Sequence, residues 1–152
     1  MLEKTNGNFL ISQIKHLQGR LGEKILEQVG IKEFNGAQGK ILYILWQSDF
    51  VPIVELSKKT GLAKTTLTSM LDRMEESGLI VRIYDKTDRR QIRISLTDKA
   101  NSLHGDYENV SMKMSEIFYK GFSDDEIINF ENMLTKIVKN LTEAENQQNN
   151  QN

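Results

Sequence analysis

The 152-residue sequence contains no cysteine, which excludes disulfide bonds, thiolate catalysis, Cys-ligated metal sites and direct thiol redox sensing. It has no stretch near the ~20 apolar residues of a membrane-spanning helix, and its first residues do not follow the pattern of a secretory signal. The single proline, Pro52, is predicted to end a loop. We therefore expect a soluble, unprocessed and cytoplasmic protein.

Charge of one sign is not in excess over the whole chain. The net charge of -1 at pH 7 argues against a polycation that coats nucleic acid indiscriminately. The charge is not evenly distributed along the chain. Residues 53–99 contain ten Lys and Arg and seven Asp and Glu, a net charge of +3. The remaining residues contain ten basic and fourteen acidic side chains, a net charge of -4. A basic middle between acidic flanks is typical of a nucleic-acid reader on a non-binding scaffold.

Three long segments have apolar residues at alternating spacings of three and four, which predicts amphipathic helices. They cover residues 9–29, 98–120 and 124–146. The start of the third is the sharpest boundary, since Ser123 and Glu126 form a predicted capping box. We expect the three apolar stripes to pack on those of a second copy of the chain. The predicted division is a helical dimerisation domain (1–34 and 98–146), a DNA-binding domain (35–97) and a disordered tail (147–152).

Residues 53–97 predict a winged helix-turn-helix inserted between these helices. A helix capped by Asn35 comes before it, and the predicted buried face of this helix consists of Ile41, Leu42, Leu45 and Trp46. A short helix at 54–60 is followed by Gly61, which suits a tight turn, and by a helix at 64–77. The predicted buried face of this last helix consists of Leu67, Met70, Leu71 and Met74. Two alternating segments, 79–84 and 92–96, predict strands joined by a charged loop. The predicted fold is therefore mainly α, with about six helices and a small β-hairpin wing.

The second helix of a helix-turn-helix lies in the major groove, where its first residues meet base edges. The candidates here are basic and small hydroxyl residues: Lys64, Thr65, Thr66, Thr68, Ser69 and Arg73. Lysine can donate a hydrogen bond to the acceptors of guanine, and a hydroxyl group can bond to either the donor or the acceptor edge of a base. The methyl group of threonine can contact the methyl group of thymine. The alternative is a solvated face whose Thr and Ser cap the helix start. Three threonines within four helical positions have poor propensity, which favours a function.

The charged loop supplies four further candidates for DNA contact: Lys86, Arg89, Arg90 and Arg93. Basic side chains at a strand-loop-strand tip reach phosphates or a narrow groove. Asp88 is predicted to orient the Arg90 guanidinium by a charge-assisted bond while this side chain enters the minor groove. An ordinary solvated loop is the alternative.

Two segments, GLAKTTLTSMLDRMEESGLIVR and DKTDRRQIRISLTDKA, resemble the MarR (multiple antibiotic resistance regulator) family of bacterial transcription regulators, and NGAQGKILYILW resembles that family's second helix. The likeness implies a homodimer on a pseudo-palindromic operator, often released by a small aromatic ligand or an oxidant. We expect a repressor and, since the absence of cysteine excludes a thiol-based oxidant sensor, an effector that is a small aromatic or anionic compound. By position, residues 63–73 correspond to the recognition helix and Arg90 to the wing residue. Ala63 departs from the Ser that often caps this helix, a loss of ~1 kcal/mol.

An effector pocket is predicted around Arg20, Tyr43 and Trp46, because such pockets favour aromatic walls with one charged anchor. The alternative is that both aromatic residues belong to the core. The two histidines, His16 and His104, are too few for a metal site, since a lone helical histidine is usually a surface or packing residue. No metal, cofactor or catalytic residue is predicted.

Two other classes of function compete with a DNA-binding regulator. An enzyme is disfavoured, because the carboxylates are scattered and no glycine-rich phosphate loop or nucleophile-base arrangement occurs. A winged-helix module that binds proteins without reading DNA is the stronger alternative, since a fold does not fix a function. The basic wing argues against it.

Overall fold

The computed structural model describes residues 1–88 and 90–151, and these residues form seven helices and three strands. The helices are α1 (Gly7–Gln28), α2 (Gly36–Gln47), α3 (Ile53–Thr60), α4 (Lys64–Glu76), α5 (Asp98–Ser102), α6 (His104–Phe118) and α7 (Asp124–Asn149). The strands are β1 (Val51–Pro52), β2 (Ile80–Tyr84) and β3 (Ile92–Leu96). The mainly α fold with a β wing is thus confirmed.

Two helix starts have the capping predicted from the sequence. The Asn35 side chain accepts from the Gln38 N–H at the start of α2, and the Gln38 side chain accepts in return from the Asn35 N–H. Ser123 and Glu126 form the same reciprocal pair at the start of α7. Each box satisfies two backbone donors that a helix start otherwise leaves unpaired.

One predicted helix, after Thr97, is interrupted at Leu103 and becomes α5 and α6. The Leu103 N–H donates to the Ala100 carbonyl, three residues back, and the Ser102 hydroxyl donates to the Lys99 carbonyl. These local bonds replace the regular four-residue pattern at the junction. Leu103 is buried, so the tighter turn is stabilised by packing that periodicity alone does not reveal.

The predicted disordered tail requires a correction, because α7 continues to Asn149. The residues after Leu141 are Glu, Ala, Gln, Asn and Thr, without proline or glycine. Extending an existing helix adds one hydrogen bond for each residue fixed, so a polar composition does not by itself end a helix.

The core of the winged lobe is apolar throughout and joins α2, α3, α4 and the sheet. Its fully buried side chains are Ile41, Leu42, Leu45, Leu56, Leu67, Leu71, Met74, Leu79, Ile80 and Ile94. The predicted buried faces of α2 and α4 account for six of these. Trp46, predicted on the same buried face, is only half-buried.

The sheet has the order β1-β3-β2, with both pairs antiparallel. Ile80 pairs with Leu96 and Tyr84 with Ile92. Ile80 lies in the core, whereas Val81 and Ile83 on the opposite face are exposed. β1 was not predicted, because two residues are too few to show an alternating pattern.

The chain divides into two compact units, residues 1–112 and 113–152. The first contains the winged lobe and α1. In the second, Phe118, Tyr119, Phe122 and Phe130 form an aromatic cluster, and the Tyr119 hydroxyl donates to Glu131 at 2.8 Å. Desolvation and this hydrogen bond raise the pKa of Tyr119 above its usual value of 10.

Candidate nucleic-acid interface

The turn between α3 and α4 is closed by hydroxyl groups. Gly61 adopts φ +69° and its N–H donates to the Ser57 carbonyl, which ends α3 in a left-handed conformation that glycine tolerates. The Ser57 hydroxyl donates to the Leu62 carbonyl at 2.8 Å, and the Thr60 hydroxyl accepts from the Leu62 N–H at 3.2 Å. These bonds fix where α4 begins relative to α3.

The exposed face of α4 contains all six of the residues on this helix that are predicted to contact DNA: Lys64, Thr65, Thr66, Thr68, Ser69 and Arg73. The residue at the N-cap is Ala63, and no side chain caps the helix there. The capping alternative for the threonines is therefore not supported. Thr68 donates to the Lys64 carbonyl at 2.8 Å, so its hydroxyl lies along the helix. The first N–H groups of α4 and Lys64 together make this end electropositive.

Arg90, at the tip of the wing, is exposed, with 94% of its side chain accessible. The Asp88 carboxylate accepts from the Arg90 backbone N–H at 3.0 Å and from its Nε at 3.3 Å. One carboxylate oxygen thus accepts from both the backbone and the guanidinium of the same residue. Lys86 is also exposed. Arg89, the remaining predicted loop contact, lies outside the described residues.

Asp85 joins the loop to the strands. Its carboxylate accepts from the Thr87 hydroxyl at 2.7 Å and the Thr87 N–H at 2.9 Å, and from the Arg93 Nε at 3.3 Å. These bonds, those of Thr87 above all, hold the pKa of Asp85 well below its usual range. The Asp85 N–H donates to the Gln91 carbonyl at 3.0 Å and closes the loop.

Arg93, on β3, was predicted as a DNA contact, but its guanidinium lies against protein groups. Besides Asp85, it donates from Nη1 to the Phe50 carbonyl at 3.2 Å and lies 5.3 Å above the centre of the Phe50 ring. Phe50 has φ +60°, a left-handed conformation rare for a residue with a side chain. Arg93 therefore connects the wing to the turn before β1.

Arg82 connects the wing to α4, and sequence reasoning missed it. Its guanidinium contacts Asp72 at 2.7 Å and Glu75 at 3.1 Å, and only 16% of its side chain is exposed. Asp72 and Glu75 are three residues apart, so both point from one side of the helix. The sequence does show an arginine within an apolar strand. When the guanidinium of such an arginine is partly buried, it requires a nearby anion.

The candidate effector residues are only partly brought together. Trp46 stacks on His104 with ring centres 4.7 Å apart and contacts Tyr107 at 5.1 Å, while Tyr43 stacks on Tyr107 at 5.9 Å. Burial raises the pKa of Tyr107. The Trp46 Nε1 has no acceptor among the described residues. Arg20 is exposed on α1. Within the described part of the chain, it forms no hydrogen bond, ion pair or cation-π contact with Tyr43 or Trp46.

His104 is thus a packing residue, and it also contacts Glu108 at 3.3 Å. Over the described ranges, no group of three or more His, Asp or Glu side chains is arranged to hold a metal ion. None of the helices described is both long and apolar enough to cross a bilayer.

An exposed helix after a tight turn, followed by a hairpin with an oriented arginine at its tip, defines a winged helix-turn-helix protein. The sequence model of the MarR family matches residues 34–92. An uncharacterised HTH-type transcriptional regulator, YsmB of Bacillus subtilis (strain 168), is 32% identical over 118 residues, which cover 76% of this chain and 77% of YsmB. The chain belongs to the MarR family of transcription regulators.

Two further comparisons extend this result. The HTH-type transcriptional regulator TtmR of Methylorubrum extorquens (strain PA1) is 33% identical over 97 residues, which span 64% of this chain and about half, 48%, of TtmR. A mutant of MarR from E. coli, crystallised with operator DNA, has the same fold, with a TM-score of 0.75, 24% sequence identity and coverage of 86% of this chain and 91% of that one.

Proposed function

We propose that this protein binds duplex DNA in a sequence-specific manner as a homodimer, with α4 in the major groove and the wing in the minor groove. The observation that carries the proposal is the exposed Arg90 held by Asp88 at the tip of a wing that Arg82 ties to α4. The MarR mutant of the same fold that was crystallised with operator DNA supports duplex DNA as the partner.

A homodimer is proposed because a single reader covers too few base pairs for selectivity in a genome. Large apolar side chains remain exposed along both terminal helices. On α1 they include Phe9, Leu10, Ile14 and Leu17, and on α7 they include Ile128, Met133, Ile137, Val138 and Leu141. Such stripes are typical of surfaces that a partner copy covers. We propose that residues 1–34 and 98–146 form the helical dimerisation domain.

We further propose repression of transcription in the cytoplasm, without enzymatic activity, and release by a small aromatic or anionic effector. The half-buried Trp46, the exposed Tyr43 and the Trp46 Nε1, which has no acceptor among the described residues, support an aromatic ligand that offers an acceptor. Because Trp46 is the single tryptophan, its fluorescence reports on this cluster alone. A compound that releases the DNA should also change this fluorescence.

Duplex binding is tested by titrating the protein with its own upstream DNA and with a scrambled duplex at several salt concentrations. We expect tighter binding of the upstream DNA and a steep weakening with salt, since phosphate contacts release counterions. Equal affinity for the two duplexes would refute sequence-specific reading. Affinity that does not depend on salt would refute the phosphate contacts and leave the protein-interaction module as the better hypothesis.

A further inference from the structure

We propose that Arg93 is a positioning residue rather than a DNA contact, and that it sets the affinity for DNA by fixing Arg90. The inference rests on the proposed DNA binding. It starts from the arrangement of the Arg93 guanidinium, which contacts Asp85 through Nε and the Phe50 carbonyl through Nη1. With the ring of Phe50 below it, this guanidinium is occupied on two sides by the protein.

A continuous series of hydrogen bonds leads from Arg93 to Arg90. Asp85 accepts from Arg93 with one oxygen and from Thr87 with the other. The same Asp85 oxygen lies 3.4 Å from the Asp88 N–H. Asp88 in turn accepts from the backbone and the side chain of Arg90. Each step is a bond to a carboxylate, and each of the two carboxylates accepts from at least two donors.

The other end of the series is anchored in the body of the lobe. Phe50 is held in its left-handed conformation by the Arg93 bond to its carbonyl and by its own N–H, which donates to Asp49 at 2.8 Å. Asp49 also accepts from the Leu96 N–H of β3 at 2.9 Å. These hydrogen bonds therefore fix the position of the wing tip relative to the turn before β1.

Arg93 and Arg90 differ in the solvent-exposed fraction of their side chains. The Arg93 side chain is 29% exposed and the Arg90 side chain 94% exposed. A direct DNA contact through the Arg93 Nε or Nη1 requires that atom to leave Asp85 or the Phe50 carbonyl. Leaving Asp85 would deprive a carboxylate of 18% exposure of its cation. Asp88 holds the Arg90 Nε, and the described residues form no hydrogen bond with the distal nitrogens of this guanidinium.

The test is a double-mutant cycle in DNA binding, with Arg90→Gln, Arg93→Gln and the double variant. Arg93→Gln alone should weaken binding by about 3- to 30-fold, the upper limit being the counterion contribution expected of Arg90 in both protomers. In the Arg90→Gln background it should change affinity by less than about twofold, because there is no longer an arginine to position. Losses that multiply would overturn the proposal.

Arg93→Lys distinguishes positioning from charge. A lysine retains a phosphate contact, but its single ammonium does not reproduce the fork that bridges Asp85 and Phe50. We expect Arg93→Lys to weaken binding almost as much as Arg93→Gln. A lysine variant with wild-type affinity and salt dependence would show that Arg93 acts through its charge on DNA.

A measurement without DNA separates failure of this inference from failure of the proposed function. Trypsin cleavage after Lys86 in the free protein requires local opening of the wing. Arg93→Gln and Asp85→Asn should both accelerate it severalfold, while Lys139→Gln, a substitution on α7, should not. Unchanged cleavage in folded variants would overturn the positioning role even if the wild type binds DNA as proposed.

Discussion

Replacing Arg90 with glutamine tests the wing contact through the salt dependence of DNA binding. The described residues that are predicted to contact DNA include four exposed cations per protomer: Lys64, Arg73, Lys86 and Arg90. Two protomers then neutralise eight phosphates, for which the slope of log K against log salt is about -7. Between 50 and 200 mM salt, affinity should therefore fall by about 10⁴-fold.

The substitution removes two of these charges from the dimer. The slope should become less steep by about 2, and binding at 0.15 M salt should weaken by about 30-fold if counterion release is the whole contribution. Fluorescence anisotropy with a labelled duplex at five or more salt concentrations measures both quantities. Further contacts, by Arg89 for example, would steepen both slopes and leave their difference unchanged.

The matched control is Lys139→Gln, which removes one charge from α7. Lys139 is 74% exposed and lies 3.9 Å from Glu143. We expect an unchanged slope, because exposed pairs of this kind contribute little and the residue lies outside the wing and α4. If the Arg90 and Lys139 variants lose equal affinity with equal slopes, the wing does not contact DNA.

Three further predictions concern the scaffold. Deleting residues 124–152 should convert the dimer to a monomer in analytical ultracentrifugation, and a truncated chain that still sediments as a dimer would contradict the role given to the α7 stripe. Leu71→Ala should lower the free energy of unfolding by about 2–5 kcal/mol in urea titrations, because Leu71 is fully buried on α4; a loss near zero would show that the core there is misassigned. The pKa of Tyr119 is raised in the folded state, so stability should decline as pH rises above about 10, where the unfolded tyrosine ionises first. Tyr119→Phe should reduce this decline, and an identical decline would refute the shift.

The elements that could be predicted are those whose signals are local. The capping boxes of Asn35 and Ser123, the Gly61 turn and the buried faces of α2 and α4 each depend on residues within one or two turns. In these segments periodicity and capping chemistry agree, so the sequence specifies the helix without reference to the rest of the fold.

The features that escaped prediction depend on residues distant in sequence. β1 exists because Val51 and Pro52 lie beside β3, and the pairing joins residues more than 40 positions apart. Arg93 was assigned to DNA because its charge is visible in the sequence, whereas its contact with the Phe50 carbonyl is not. The same applies to Arg82, whose partners on α4 become its neighbours only when β2 packs on that helix.

The most direct test of a dimeric DNA reader is a footprint of the protein on the DNA upstream of its own gene. We expect protection of two symmetric half-sites with centres about one helical turn, ~10 bp, apart, and loss of the protection with Arg90→Gln but not with Lys139→Gln. Protection of a single half-site, or uniform protection without boundaries, would contradict the central claim.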